Sequence, residues 1–132
     1  MTTYRGLGNL SAPLKERAKV SVRKIMLEVF TGVVMKSPVD TGRFRGAWVV
    51  SGRPYSPSDL DRFDKMGSET IREAVAKIRA MPFPGHPTYI INPLPYAQVL
   101  EYGREDGSPG SMQAPQGMVR ITLAEIASRY GA

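Results

Sequence analysis

The sequence predicts an α+β domain: a long N-terminal helix and further helices packed on a small, mainly antiparallel β-sheet, with long Pro/Gly-rich loops. Three observations carry that prediction. Apolar residues recur in steps of three and four from Leu14 to Val34, and two short stretches rich in β-branched and aromatic residues separate the helical patterns. Thirteen glycines and eleven prolines make up 24 of 132 residues, clustered between those patterns, which marks loops around a modest scaffold. The order helix, strand, loop, helix, strand, short helix, helix is that of helices laid over a small sheet.

The chain opens with a glycine-rich polar arm over residues 1–12, and residues 13–132 form one domain, a size that buries a single core. Ser11 is a capping candidate and Pro13 suits the first turn of a helix, where a missing N–H is harmless. The stripe Leu14, Ala18, Val22, Ile25, Met26, Val29, Phe30, Val33 and Val34 carries that helix to about Met35. Ser37-Pro38 stops it, because a residue before proline is pushed out of the α region. Asp40-Thr41-Gly42 is turn chemistry. Arg43 to Gly52 then reads as a strand with Phe44, Trp48 and Val50 on one face.

Residues 53–66 read as an excursion loop. A second helix opens at Gly67-Ser68 with Ser68 as its cap, buries Ile71, Ala74, Val75 and Ile78, and ends by Met81-Pro82. Thr88 to Asn92 is a short strand bounded by Pro93 and Pro95. Tyr96 to Tyr102 makes a helical turn with Gly103 just past its end. Residues 104–114 are loop. A last helix runs from Pro115 through Tyr130 with Val119, Leu123, Ile126, Ala127 and Tyr130 on one side. A stable sheet needs about three strands, so a further strand is expected in 50–60 or 105–112.

Composition bounds the chemistry. With no cysteine, disulfide frameworks, thiolate metal sites and cysteine nucleophiles are excluded. No secretory h-region and no run near the ~18 apolar residues of a membrane span occur, so a soluble setting without membrane is expected. The net charge is +6, and six of the eighteen basic residues lie between Arg5 and Lys24. Lys15, Lys19 and Arg23 are the candidates for a face toward DNA or an acidic partner, although no cationic run is interleaved with stacking aromatics.

The catalytic candidates are thin. His86 is the only histidine and lies in a Pro/Gly loop with no carboxylate close in sequence to orient it. Asp59, Asp61, Asp64 and Glu69 lack the pattern of a calcium loop and read as a solvated loop and helix start. Gly6-Leu-Gly8 is too short to cradle a phosphate. Asp40-Thr-Gly also occurs in aspartic proteases, but here it follows a helix and Ser-Pro instead of an apolar strand. No cofactor or metal is implied. Trp48 and Tyr102 read as core or interface aromatics.

Three segments carry a family resemblance. Ser37-Pro-Val-Asp-Thr-Gly-Arg-Phe-Arg-Gly-Ala-Trp48 resembles the SPVDTGxLRxSW segment of the tail-completion and neck (head–tail connector) proteins of lambda-like and HK97-like tailed bacteriophages. Asn92-Pro-Leu-Pro-Tyr96-Ala97 with Leu100-Glu-Tyr-Gly103 is similar to their N-x-x-x-YA-x-x-x-EYG segment. Gln113-Ala-Pro-Gln-Gly-Met-Val-Arg120 is similar to their closing QAPxGMVR. The segments fall in the family's order over residues 14–130. Phe44 stands where leucine is usual and Ala47 where serine is common.

The resemblance implies a virion protein without catalytic role, assembled in the host cytoplasm and placed at the neck. There it completes the tail and joins it to the head, as one subunit of a homo-oligomeric, often sixfold, ring around the DNA channel. Its partners would be further copies of itself, neighbouring connector and tail-terminator or tail-tube proteins, and the passing genome through non-specific contact. The matched positions, Pro38, Asp40, Thr41, Gly42, Arg43, Trp48, Asn92, Tyr96, Ala97, Glu101, Tyr102, Gly103, Ala114, Pro115, Gly117 and Met118, are then structural. Asp40 is expected to cap its turn, and Arg43 or Arg104 to pair with Glu101. Residues 1–12, 53–66 and 104–114 are the expected subunit contacts. The alternatives are a basic DNA-binding module and, behind it, a small Asp-Thr-Gly protease.

Overall fold

The computed structural model describes residues 12–54, 61–82 and 87–130, and of residues 12–20 the backbone alone. Residues 1–11 of the expected N-terminal arm, with Gly6-Leu-Gly8 and the capping candidate Ser11, and also Asp59 and His86 lie outside the described residues, and Ala12 begins the first helix. The elements are α1 (Ala12–Lys36), α2 (Arg43–Gly46), β1 (Val49–Ser51), α3 (Ser68–Ala80), β2 (Tyr89–Ile91), α4 (Ala97–Tyr102) and α5 (Val119–Arg129). The architecture is α+β: α1 packs against both α3 and α5, and α3 covers β1. Strands β1 and β2 pair antiparallel, Val49 with Ile91, Val50 with Ile90 and Ser51 with Tyr89.

The core follows the apolar stripe of α1. Phe30, Val33 and Val34 are buried against Ile78 of α3, Val50 of β1, Trp48, and Met118 just ahead of α5. Burying each such side chain contributes about 1.5–3 kcal/mol. Helix α1 ends at Lys36, just ahead of Ser37-Pro38 as expected, and the Ser37 N–H closes its last turn by donating to Val34 O at 3.1 Å.

The expected strand from Arg43 is corrected. Arg43–Gly46 forms a single helical turn, and only Val49–Ser51 is extended. Gly42 sits at φ 91°, where its carbonyl accepts the Gly46 N–H at 2.8 Å and the Asp64 N–H at 3.0 Å. A Cβ there would meet the Asp64 and Lys65 backbone at 2.6–2.9 Å, so both the turn and the close approach require glycine. The four-residue spacing of Phe44 and Trp48 sets the rings edge to face at 5.8 Å, a contact that a strand's alternation cannot make between them.

Of the two stretches expected to hold a third strand, 105–112 is a sequence of turns, and residues 55–60 of the other lie outside the described residues, among which the sheet has two strands. So small a sheet is stable because β1 lies on the helical core, with Val49 and Val50 at 3% and 1% exposure. The last helix starts at Val119 instead of Pro115, after a turn through Gly117. Its inward stripe is Met118, Thr122 and Ile126: Ile126 is buried as expected, whereas Leu123 and Tyr130 are exposed. Thr122 is accommodated by donating its hydroxyl to Met118 O at 2.6 Å.

Candidate functional site

The three segments singled out by the sequence meet in space. Trp48 donates its indole N–H to Ser37 Oγ at 2.8 Å, and Ser37 Oγ donates in turn to Val33 O at 2.8 Å, so the buried indole is satisfied by the end of α1. Arg45 closes the same corner. Its guanidinium donates to Met35 O, Ser37 O and Lys65 O at 2.8–3.0 Å, placing a cation on the free carbonyls at the C-terminus of α1. Burial lowers its pKa, and the Asp64 charge works against that shift.

The second segment is tied to the first through Asn92, whose Nδ2 donates to Phe44 O at 3.1 Å while its Oδ1 accepts the Leu94 N–H. The Tyr96 ring lies 5.7 Å from that of Phe44. The third segment is tied to the first by Gln113, which matches both backbone groups of Val39: Oε1 accepts the N–H at 2.8 Å and Nε2 donates to the carbonyl at 3.0 Å.

Glu101 ties the second segment to the third. Its carboxylate accepts the backbone N–H groups of Met118, Val119 and Arg120 at 2.8–3.2 Å, which are the donors a helix start leaves open. Arg120 returns along the same path: Nε bonds the carboxylate at 3.0 Å, Nη2 donates to Glu101 O, and the guanidinium lies 4.8 Å over the Tyr102 ring. Burial pushes the Glu101 carboxyl up, but these donors outweigh it and hold the group below its ordinary value. Gly117, at φ 81°, leaves the room: a Cβ there would lie 2.5 Å from Glu101 O and 2.7 Å from Oε2.

A cleft of about 320 Å³ lies where the segments join, walled by Pro38 to Phe44, Tyr96, Leu100, Gly110, Ser111 and Gln113. Beside it, α4 is inverted. Its buried residue is Glu101, while Tyr96, Val99 and Tyr102 are 42%, 41% and 68% exposed. Of the two aromatics read as core or interface, Trp48 is the buried one and Tyr102 is a surface aromatic under Arg120. Gly103 ends α4 as expected, at φ 86° with its N–H donating to Val99 O.

Other expectations change at this site. Glu101 pairs with Arg120, whereas Arg43 reaches Asp61 at 3.6 Å. The side-chain hydrogen bond of the Asp-Thr-Gly turn comes from Thr41, whose Oγ1 accepts the Arg43 N–H at 3.3 Å, and Asp40 is exposed. Pro115 is an exposed turn residue, Ala114 and Met118 are buried, and Ala97 packs at the edge of the core.

Asp64 is the residue the sequence reading missed. It is buried, its Oδ1 accepts the Gly67 N–H, and its Oδ2 accepts the N–H and hydroxyl of Thr70 at 2.7 and 2.8 Å. It therefore caps α3 in place of Ser68, which lies inside the helix. Burial raises its pKa, and the Thr70 and Gly67 donors then bring it below the ordinary value. Its neighbour Arg62 fastens the segment by donating to Gly46 O at 2.8 Å, to Trp48 O at 3.1 Å and to Glu73. The signal was an aspartate three residues ahead of the Gly67 turn and six ahead of Thr70. Spread acidic residues on either side concealed it.

The sheltered carboxylates among the described residues, Asp64 and Glu101, are thus both committed to helix N–H donors. No group of three or more His, Asp or Glu able to hold a metal ion occurs among the described residues, and none of their helices is long and apolar enough to cross a membrane. Arg23 donates to Met81 O at 3.2 Å, and the side chains of Lys15 and Lys19 lie outside the described residues. No family model, curated protein or solved structure matches the chain.

Proposed function

We propose that this chain is a structural subunit of the neck of a tailed bacteriophage, completing the tail and joining it to the head. In this reading it is one copy of a ring, sixfold by resemblance, around the DNA channel. The observation that carries the reading is the mutual fastening of the three family-like segments through Asn92, Gln113 and Glu101. Residues that recur together for a structural reason should be those that hold one another in place. These do so with their polar groups spent inward on backbone partners, leaving an apolar α4 face outward.

A long first helix and Pro/Gly-rich loops complete the scaffold in this reading. Further copies of the chain, connector and tail-terminator or tail-tube proteins would be the partners, and the virion neck the location, reached by assembly in the host cytoplasm. No cofactor and no catalytic step enter. A heterologous ring needs two different surfaces on each subunit. The exposed Tyr96, Val99 and Tyr102 face is one candidate, and the segment bearing exposed Phe63 and Met66 is another.

The test is complementation of a phage lacking the gene for this chain. Filled heads and complete-length tails should accumulate unjoined without it, and supplying it should restore joined particles that contain it. Joined, infectious particles formed without the chain would sink the proposal.

A further inference from the structure

A groove of about 350 Å³ lies between the end of α1 and the turn that leads into α5. Met35, Pro115 and Ile121 make its apolar wall, Gln116 adds an amide, and Lys36 and Arg45 bring two cations. Among the described residues no carboxylate lines it. Lys36 spends one of its three donors on Glu125, at 2.9 Å. Arg45 spends its terminal nitrogens on the carbonyls of Met35, Ser37 and Lys65, and its Nε–H is buried with no acceptor among the described residues.

The apolar wall is open to solvent. Met35 is 48% exposed, and a Cβ on Gly67 would lie 3.4 Å from its sulfur. Met66, the chain neighbour of Gly67, is 75% exposed at the same corner. Thioethers adapt to an incoming side chain and favour contact with an aromatic ring. The groove therefore suits an aromatic side chain with a carboxylate close behind it.

The chain carries that pair on another element. Asp40, Glu69 and Glu105 are the exposed carboxylates that pair with nothing among the described residues. Asp40 follows Val39, which Gln113 holds near the groove, and Glu69 lies just past Gly67, so both belong to the groove's own surroundings. Glu105 sits three residues after Tyr102, which is 68% exposed. A tight turn presents it: the Arg104 N–H donates to Ser108 O at 2.8 Å, and the Gly107 N–H donates to Arg104 O at 3.0 Å. Asp106 fixes the turn from inside by accepting the N–H and hydroxyl of Ser108.

We infer that the groove receives the Tyr102–Asp106 turn of a second copy of this chain, with Tyr102 against Met35 and Glu105 toward Lys36 and Arg45. The two patches differ and their charges are opposite, as a head-to-tail contact between identical subunits requires. The inference deepens the neck reading by naming the subunit contact, and rests on that reading only for the closure of the copies into a ring.

The chain has no cysteine, so introduced ones report the contact without background. Arg104→Cys and Gln116→Cys, both at exposed positions, are made in separate chains, mixed at high concentration and oxidised. Disulfide-linked dimers should form only in the mixture, and a chain carrying both cysteines should give a ladder of oligomers. Glu105→Lys in the Arg104→Cys chain should slow dimer formation about tenfold at about 50 mM salt, because like charges then meet in the groove. Glu69→Lys in the same chain, an equal change of charge, should leave the rate unchanged, with melting curves verifying that each variant folds. Equal slowing by the two charge variants, equal dimer formation by either single-cysteine chain alone, or no ladder in free protein or in particles would overturn the inference. Incorporation of the double-cysteine chain into joined particles that give no ladder would assign the groove to another protein and leave the neck reading standing. A ladder from free protein that never enters particles would do the reverse.

Discussion

Helices α3 and α5 both begin without a capping side chain at the usual position, and both are capped by a buried carboxylate from elsewhere. Asp64 reaches α3 from three to six residues away, while Glu101 reaches α5 from 17 to 19 residues away across a loop. The first is a local closure of one turn. The second joins two elements that the chain has separated, and with Arg120 and Gly117 it makes α4, the 104–117 loop and α5 one unit. Two bonds of similar chemistry thus differ in what depends on them.

The largest effect is expected at the long-range cap. Glu101→Ala leaves three N–H groups and Arg120 without their acceptor and should cost about 3 kcal/mol, less than a fully buried ion pair because Arg120 is 56% exposed. Thermal melting should fall by roughly 10 °C. Hydrogen exchange should rise both in α4 and at the start of α5, and an increase confined to α5 would break the claim that Glu101 couples them. Asp64→Ala should cost about 2 kcal/mol, with faster exchange at Gly67 and Thr70 and none of it transmitted to α5.

Gln113→Ala removes two exposed neutral bonds to Val39 and should cost about 1 kcal/mol. Its effect should shrink in a Glu101→Ala background if the third segment acts as a unit, which a double-mutant cycle measures. The smallest difference lies in the acid limb. Both carboxyls are held below their ordinary values, so the folded state binds fewer protons than the unfolded one. Their stabilisation is complete above the unfolded values near pH 4 and is lost as pH falls through the lower folded values. Asp64→Asn and Glu101→Gln should each flatten that limb, and an unchanged acid transition in both would contradict the assignment.

The two caps also mark where the sequence was legible. The helical pattern of α3 is periodic over many residues, and that helix occurs where the period predicts it. Glu101 was recognisable by its place in a motif, but its partner was assigned among Arg43 and Arg104. Arg120 lies closer only once α5 has docked, and one-dimensional spacing does not contain that. Arg43 to Gly46 was read as strand because the stretch to Gly52 is rich in aromatic and β-branched residues, but those cluster at Trp48 to Val50, and the contact between Phe44 and Trp48 is made by a helical turn. Ile126 lies on the inner side of α5 as expected, but Thr122 was not foreseen there, because it is polar and faces inward only by satisfying itself on Met118 O.

Cryo-EM reconstruction of joined particles, centred on the head–tail junction, tests the central claim most directly. The account predicts a closed ring there whose subunit density fits the α1–α5 fold. Density at that junction built entirely from other proteins, in particles that are joined and infectious, would contradict it.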